Sequence, residues 1–467
     1  MSEEIKELKK KLLSTRKNGY DCVGEGYETK MEAYSRAYKA YLDAGKTERL
    51  CAAESIRLAE EAGYKRYERG MEVKSGDKLY VCNRSKAVLL AHIGKKSLSA
   101  GVQIAAAHID APRLDLKPNP LYEEAEMAFF KTHYYGGIRK YQWVASPLEL
   151  HGVVILKDGT SVTVNIGADA GDPKLVITDL LPHLGAEQSK KPLASAIPAE
   201  SLNLLLGSRP IGDEDDSGRV KIAVMKLLND KYGITEDDFN SAELEAVPHQ
   251  NACDIGLDRS MIGAYGHDDR VCAYAALKAL LDLEETPEKT AVCVLADKEE
   301  IGSDGVTGMQ SAAFDTFMED LCDAQGVALR ACYEKSFCLS ADVTAAYDPD
   351  FAEVYEKRNS AFLNYGIGLC KYTGARGKSG ASDADAETVG YVRRIFDAAG
   401  VVWQIAELGK VDAGGGGTVA MYMANRNITT LDAGVPVLSM HAPFETVSKL
   451  DCYETYKGIK AVYQAET

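Results

Sequence analysis

Four short apolar runs in this chain end abruptly in residues suited to binding metals, and no other feature limits the fold as tightly. Residues 102–107 stop at His108-Ile109-Asp110-Ala111-Pro112, where the proline has no N–H to donate to a ladder. Residues 291–296 stop at Asp297-Lys298-Glu299-Glu300, residues 336–341 at Asp342, and residues 435–440 at His441-Ala442-Pro443. None alternates apolar with polar, the pattern expected of strands covered on both faces of a parallel sheet. In open α/β sheets, ligand-binding groups gather beyond the carboxyl ends of the strands. The expected fold is therefore α/β, a mixed, largely parallel sheet flanked by helices, with its polar strand ends meeting in one crevice.

The rest of the chain fits around that sheet. Residues 31–42, stopped by Gly45, and 48–62, stopped by Gly63, carry apolar stripes at helical spacing. Residues 78–82 and 87–93 read as strands. Between about 115 and 250 the pattern changes to short β-rich segments, with 152–156 and 161–166 flanking Asp158-Gly159, a hairpin signal. The expected organisation is a first catalytic part at 1–112, an inserted β-rich domain at 113–252 and a second catalytic part at 253–467. A chain of 467 residues exceeds one comfortable core, which agrees with two domains.

Composition excludes several classes. A net charge of −16 disfavours nucleic acid and anionic membrane as partners. No run of about 18 apolar residues is available to span a bilayer. The charged stretch from Glu3 to Lys11 lacks the apolar centre of a signal peptide, and the 11 cysteines include no CxxC pair. The expected location is the cytoplasm.

The candidate ligands gain force jointly. His108-x-Asp110 places a carboxylate where it can fix an imidazole's tautomer, although a structural histidine reads the same way in isolation. Asp268, in Gly266-His267-Asp268-Asp269-Arg270, precedes an apolar stripe of Val271, Tyr274, Leu277 and Leu281, and alone it is equally a helix cap. Glu299 and Glu300 are adjacent acids at the end of a buried strand, and they repel unless a cation or proton resolves the conflict. One as ligand and the other as general base toward water resolves it. With Asp342 and His441, the five ligand candidates His108, Asp268, Glu300, Asp342 and His441 define a metallohydrolase. Two other signals stay open. Gly374-Ala375-Arg376-Gly377-Lys378-Ser379 resembles half of a phosphate loop, but Tyr372 stands where its first glycine is required, which weakens a nucleotide-hydrolase reading. Arg376 and Lys378 are candidates for recognising a substrate side chain or carboxylate, or are simply solvated. The four glycines at 414–417 suit either close backbone approach to a substrate or a flexible turn.

The motifs around Ala107-His108-Ile109-Asp110-Ala111-Pro112-Arg113, Gly266-His267-Asp268-Asp269-Arg270, Asp297-Lys298-Glu299-Glu300-Ile301-Gly302-Ser303, Ser340-Ala341-Asp342-Val343-Thr344 and Ser439-Met440-His441 fall in the order of one family. Over nearly its whole length the chain resembles the aspartyl aminopeptidase and aminopeptidase I family of dinuclear zinc exopeptidases. The resemblance implies a zinc exopeptidase-like catalytic domain with an inserted β-rich dimerisation domain. It implies two divalent ions per subunit, zinc or alternatively manganese or cobalt, with His108 and Asp342 on one, Glu300 and His441 on the other and Asp268 bridging. Glu299 is then the general base and Asp110 the partner of His108. It further implies peptide substrates with a free N-terminus, self-association into dimers and a tetrahedral homododecamer, and a histidine reaching a neighbour's site. His183 fits that last role better than His151. A carboxypeptidase or deacylase with similar metals is the alternative within the enzyme class, and a noncatalytic shell protein on the same scaffold would be marked by loss of Glu299 or a ligand. The choice between acidic and neutral N-terminal residues stays open.

Overall fold

A computed structural model describes residues 2–374 and 376–466. Unalternating apolar runs need cover on both faces, and here they receive it. The strands Thr290–Ala296, Val102–His108, Phe337–Ser340 and Thr429–Gly434 lie side by side in that order, all parallel, at the centre of a nine-stranded sheet. Ala87–His92 and Ile367–Cys370 flank them antiparallel, which makes the sheet mixed. Successive residues point to opposite faces: Ala105 and Ala107 join a core with Tyr38, Leu277, Phe396 and Ile459, whereas Ile104 and Ala106 join Phe317, Met318 and Met423. The first face is covered by the helices Tyr27–Ala44, His267–Leu281, Ala386–Ala398 and Lys449–Tyr463, and the second by Ala313–Ala324 and Ala420–Ala424.

A helix Glu3–Leu12 opens the chain, and the two helices expected at 31–42 and 48–62 follow it, the first starting four residues early. Tyr27–Ala44 ends at Gly45, and Glu48–Glu61 starts where the Thr47 side chain accepts the Leu50 N–H. A second sheet is built from seven strands between Arg113 and Pro248. Its last strand, Ala242–Pro248, pairs with both Arg113–Glu124 and Pro147–Ile155, so the sheet closes into a barrel around Phe130, Leu148, Leu204 and Phe239. The Asp158-Gly159 hairpin forms as read, with Ile155 opposite Ser161 and Gly159 at φ +88°.

One strand expectation needs correction. Residues 435–440 do not form the fourth strand of the parallel sheet. That place belongs to Thr429–Gly434, and Pro436–Leu438 belongs to a separate five-stranded sheet with Thr344–Ala345 and Glu445–Ser448. Gly434 marks the crossing: a Cβ there would fall 2.0 Å from the Asp342 carbonyl oxygen, so only glycine lets the chain pass under that loop. No described helix is long and apolar enough to cross a membrane.

Candidate metal centre

The parallel strands bring their carboxyl ends to one place. His108 is the last residue of its strand, Glu299 and Glu300 lie in the turn after Thr290–Ala296, and Asp342 follows Phe337–Ser340. Asp268 opens the helix His267–Leu281 with non-helical backbone, and His441 arrives from the five-stranded sheet. His108 Nε2 is 3.2 Å from Asp268 Oδ1, and His441 Nε2 is 3.1 Å from Asp268 Oδ2 and 3.5 Å from Glu300 Oε2. Asp268 thus stands between the two imidazoles. Donor atoms of His108, Asp268 and Glu300 lie within 4.8 Å of one another, as do those of His108, Asp269 and Asp342. Glu299 Oε2 stands further off, 3.7 Å from His108 Nε2.

Other groups hold these side chains in place. His108 Nδ1 lies 3.1 Å from the Asp110 carbonyl and 3.2 Å from its Oδ1, which leaves Nε2 turned toward Asp268. The Asp110 carboxylate also accepts the backbone N–H of Glu299 and of Glu300, each at 3.2 Å. Glu445 accepts the N–H of Asp268 at 3.0 Å and of His441 at 2.6 Å, so one buried carboxylate ties two candidate ligands together. The His441 Nδ1–H donates to Gly137 O at 2.7 Å.

The electrostatics of the crevice call for positive charge. Burial, reinforced by Asp268, pushes Glu300 well above the usual carboxylate range, and burial with neighbouring acids does the same to Asp342 and Asp269. Burial opposes a proton on His108, yet hydrogen bonds to Asp110 and Asp268 outweigh it and raise that imidazole. Glu300 Oε1 and Asp269 Oδ1 are buried with no hydrogen-bond partner among the described residues. A set of carboxylate and imidazole donors with orphaned oxygens and surplus negative charge suits divalent cations of the zinc, manganese or cobalt type. Burial raises Glu299 to about 7. At that value its carboxyl gains and loses a proton near neutrality.

The five ligand candidates, Glu299 and Asp110 are brought together; three other candidates are not. His183 is exposed in the loop between Leu181 and Leu184, and among the described residues none hydrogen-bonds or ion-pairs with it. Arg376 and Lys378 are exposed and line a cavity of about 50 Å³ with Tyr372, Gly414 and Gly415. Lys378 Nζ is already engaged, 3.1 Å from Asp383 Oδ1 and over the Tyr372 ring. Sequence reasoning passed over Asp269 and Glu445. Asp269 sits next to a candidate ligand and was visible in the same motif, whereas nothing four residues beyond His441 announces that Glu445 reaches back to Asp268.

A parallel α/β core with such a crevice at its carboxyl edge defines a metal-dependent hydrolase. A family model described as Aminopeptidase I zinc metalloprotease (M18) matches residues 41–463. A probable M18 family aminopeptidase 1 of Clostridium acetobutylicum is 48% identical over 96% of this chain and 98% of its own length. The crystal structure of an M18 family aminopeptidase from Thermotoga maritima superposes with a TM-score of 0.92 at 42% identity, covering 97% of this chain and 99% of the other. A Saccharomyces cerevisiae mApe1 dodecamer shares the fold with a TM-score of 0.76 at 21% identity, over 94% of this chain and 98% of that one. The chain belongs to the M18 family of zinc metalloaminopeptidases, hydrolases of peptide bonds.

Proposed function

We propose that this aminopeptidase releases the N-terminal residue of peptides by a two-ion mechanism with a glutamate base. His108 and Asp342 would hold one divalent cation and Glu300 and His441 the other, with Asp268 available to both. The observation that carries this is the position of Asp268, with one carboxylate oxygen toward each imidazole at 3.2 and 3.1 Å. When bound, the ions polarise the scissile carbonyl and lower the pKa of water. Glu299 removes a proton from the attacking water as its oxygen bonds to the carbonyl carbon. It then delivers that proton to the leaving amine as the C–N bond breaks, which yields a carboxylate and a shortened peptide. Asp110 keeps the His108 Nδ1–H directed inward, so Nε2 stays free for the cation. The substrate's free amine is recognised in the same crevice, which confines cleavage to the first peptide bond. Arg376 and Lys378 are assigned to the substrate's side chain or carboxylate, Lys378 exchanging Asp383 for it.

The barrel is assigned to dimerisation and the whole to a tetrahedral assembly of twelve chains, in which His183 reaches the neighbouring site. This is supported by the exposure of Leu181 and Leu184 beside His183, at 51% and 68%, and by the dodecamer of the yeast neighbour. The 11 unpaired thiols fit work in the cytoplasm. The test is a panel of aminoacyl chromogenic substrates and matched N-acetylated peptides, turned over by chelated enzyme refilled with zinc, manganese or cobalt. Cleavage must need both an ion and a free amine, and equal cleavage of blocked peptides points instead to a deacylase or carboxypeptidase.

A further inference from the structure

We infer that the segment Tyr135-Gly136-Gly137, delivered by the closed barrel, orients both imidazoles of the metal centre, so that the barrel is a working part of the active site. The inference rests on the metal-centre reading above and adds to it residues from outside the parallel sheet. Tyr135 ends the barrel strand Met127–Tyr135, and its hydroxyl donates to Asp110 Oδ2 at 2.8 Å. That bond completes a set: Asp110 receives the Glu299 and Glu300 N–H groups, faces His108 Nδ1, and takes its remaining donor from Tyr135. Asp110 is fully buried, so no water replaces a donor that is lost. The Tyr135 ring is fixed in turn. Arg113 lies opposite it in the ladder and stacks 3.8 Å from the ring centroid, while its guanidinium is held by Glu48 at 3.3 Å and Asp115 at 2.8 Å.

Two residues on, the same segment meets the other imidazole. Gly137 O accepts the His441 Nδ1–H at 2.7 Å, which turns Nε2 toward Asp268 and Glu300. The backbone passes close to both side chains, so that a Cβ on either glycine would force its neighbour to give by a few tenths of an ångström. A Cβ on Gly136, at φ +74°, would lie 3.3 Å from Glu300 Cβ, and one on Gly137 would lie 3.3 Å from His441 Nδ1. Tyr135 and Gly137 are therefore positioning residues: neither supplies a ligand side chain, and each fixes the free nitrogen of one.

The experiment compares full-length, assembled Tyr135→Phe and Gly137→Ala with the wild type, and uses Phe239→Leu as a control that loosens the same barrel core away from the site. Metal-free protein is titrated with Zn²⁺ against a chelating dye, and the visible spectrum of the Co²⁺-loaded protein is recorded. Loss of a group that orients a metal-bound histidine costs about 10- to 100-fold in metal affinity. Each site variant is expected to show at least a tenfold weaker ion and an altered Co²⁺ spectrum, with Phe239→Leu matching wild type in both. Wild-type affinities and spectra in both site variants overturn the proposal, as does equal weakening in Phe239→Leu, which reduces the effect to general loosening. If the wild type itself takes up no Zn²⁺, it is the metal-centre reading that fails, and the inference falls with it.

Discussion

In the proposed mechanism, replacing Glu299 by glutamine removes the proton acceptor and little else. Its Oε2 is 3.7 Å from His108 Nε2, beyond hydrogen-bond reach, whereas Asp268 approaches the two imidazoles at 3.2 and 3.1 Å. The backbone N–H that Glu299 gives to Asp110 survives the change, and the amide keeps the shape of the acid. The side chain is 18% exposed, so it meets solvent at the crevice mouth and is not sealed among the ligands. A positioned general base contributes about 10²- to 10⁴-fold. That corresponds to roughly 3–5 kcal/mol of transition-state stabilisation. In steady-state assays on an aminoacyl chromogenic substrate, kcat of Glu299→Gln should fall by that factor with KM little changed, while zinc per chain, measured by elemental analysis, equals wild type. Turnover within about tenfold of wild type removes Glu299 from the mechanism. Loss of an ion would make it a ligand instead and would refute the assignment of Glu300.

Three further outcomes are expected. Exhaustive chelation should abolish peptide cleavage and lower Tm, since an ion held at 100 times its Kd adds roughly 2.7 kcal/mol to the folded state; both should return on refilling, and full activity in the metal-free protein would contradict the site. Gly434→Ala should yield protein that is insoluble or fails to retain zinc, because the new methyl collides with the Asp342 carbonyl at 2.0 Å, and a variant with wild-type zinc content would show that the loop can move aside. Burial raises Asp254, but hydrogen bonds from Lys39, Arg259 and Lys449 outweigh it and hold the carboxyl below its usual 3.8. A depressed carboxylate stabilises above its unfolded pKa and loses that contribution as pH falls through the folded one, and solvent screens this cluster, whose Arg259 is largely exposed, so Asp254→Asn should cost about 1 kcal/mol in urea unfolding at pH 7 and progressively less below pH 4.

The legible and illegible parts of this chain differ in physical kind. Residues 102–107 and 291–296 announced themselves because central parallel strands must be apolar on both faces, and their polar ends pointed to the crevice. Thr429–Gly434 escaped the same reading. It is also an interior strand, but its Thr430 and Asp432 are polar residues that are buried, and the more apolar residues 435–440 drew the assignment instead. The barrel hairpin at Asp158-Gly159 was readable from its turn. The closure of the barrel was not, since the pairing of Ala242–Pro248 with Pro147–Ile155 spans some ninety residues and leaves no local trace. The candidate ligands could be read from their joint occurrence, whereas the groups proposed to aim them, Glu445, Tyr135 and Gly137, act across gaps that no sequence pattern bridges.

The path of the chain gives the proposed aiming of the metal site by the barrel a covalent basis. The chain leaves the parallel sheet at His108, passes Asp110 and enters the barrel at Arg113; it returns at Pro248 and reaches Asp268 twenty residues later. The root of the barrel is thus covalently within a few residues of one candidate ligand, and any tilt between barrel and sheet would reach Asp110 and His441 directly. Buried ions hold that root. Glu48, on a helix of the α/β part, is fully buried between Arg113 and Lys86 at 3.3 and 3.2 Å, and despite its burial these two cations keep it down to about 2. Lys46 Nζ donates to the carbonyls of Pro248, His249 and Gln250 at the exit strand. Desolvation consumes most of what such pairs gain, so they add little net stability. Their effect is directional: a charge with one permitted set of partners fixes the angle of entry, which an apolar contact of equal area would leave free to slide.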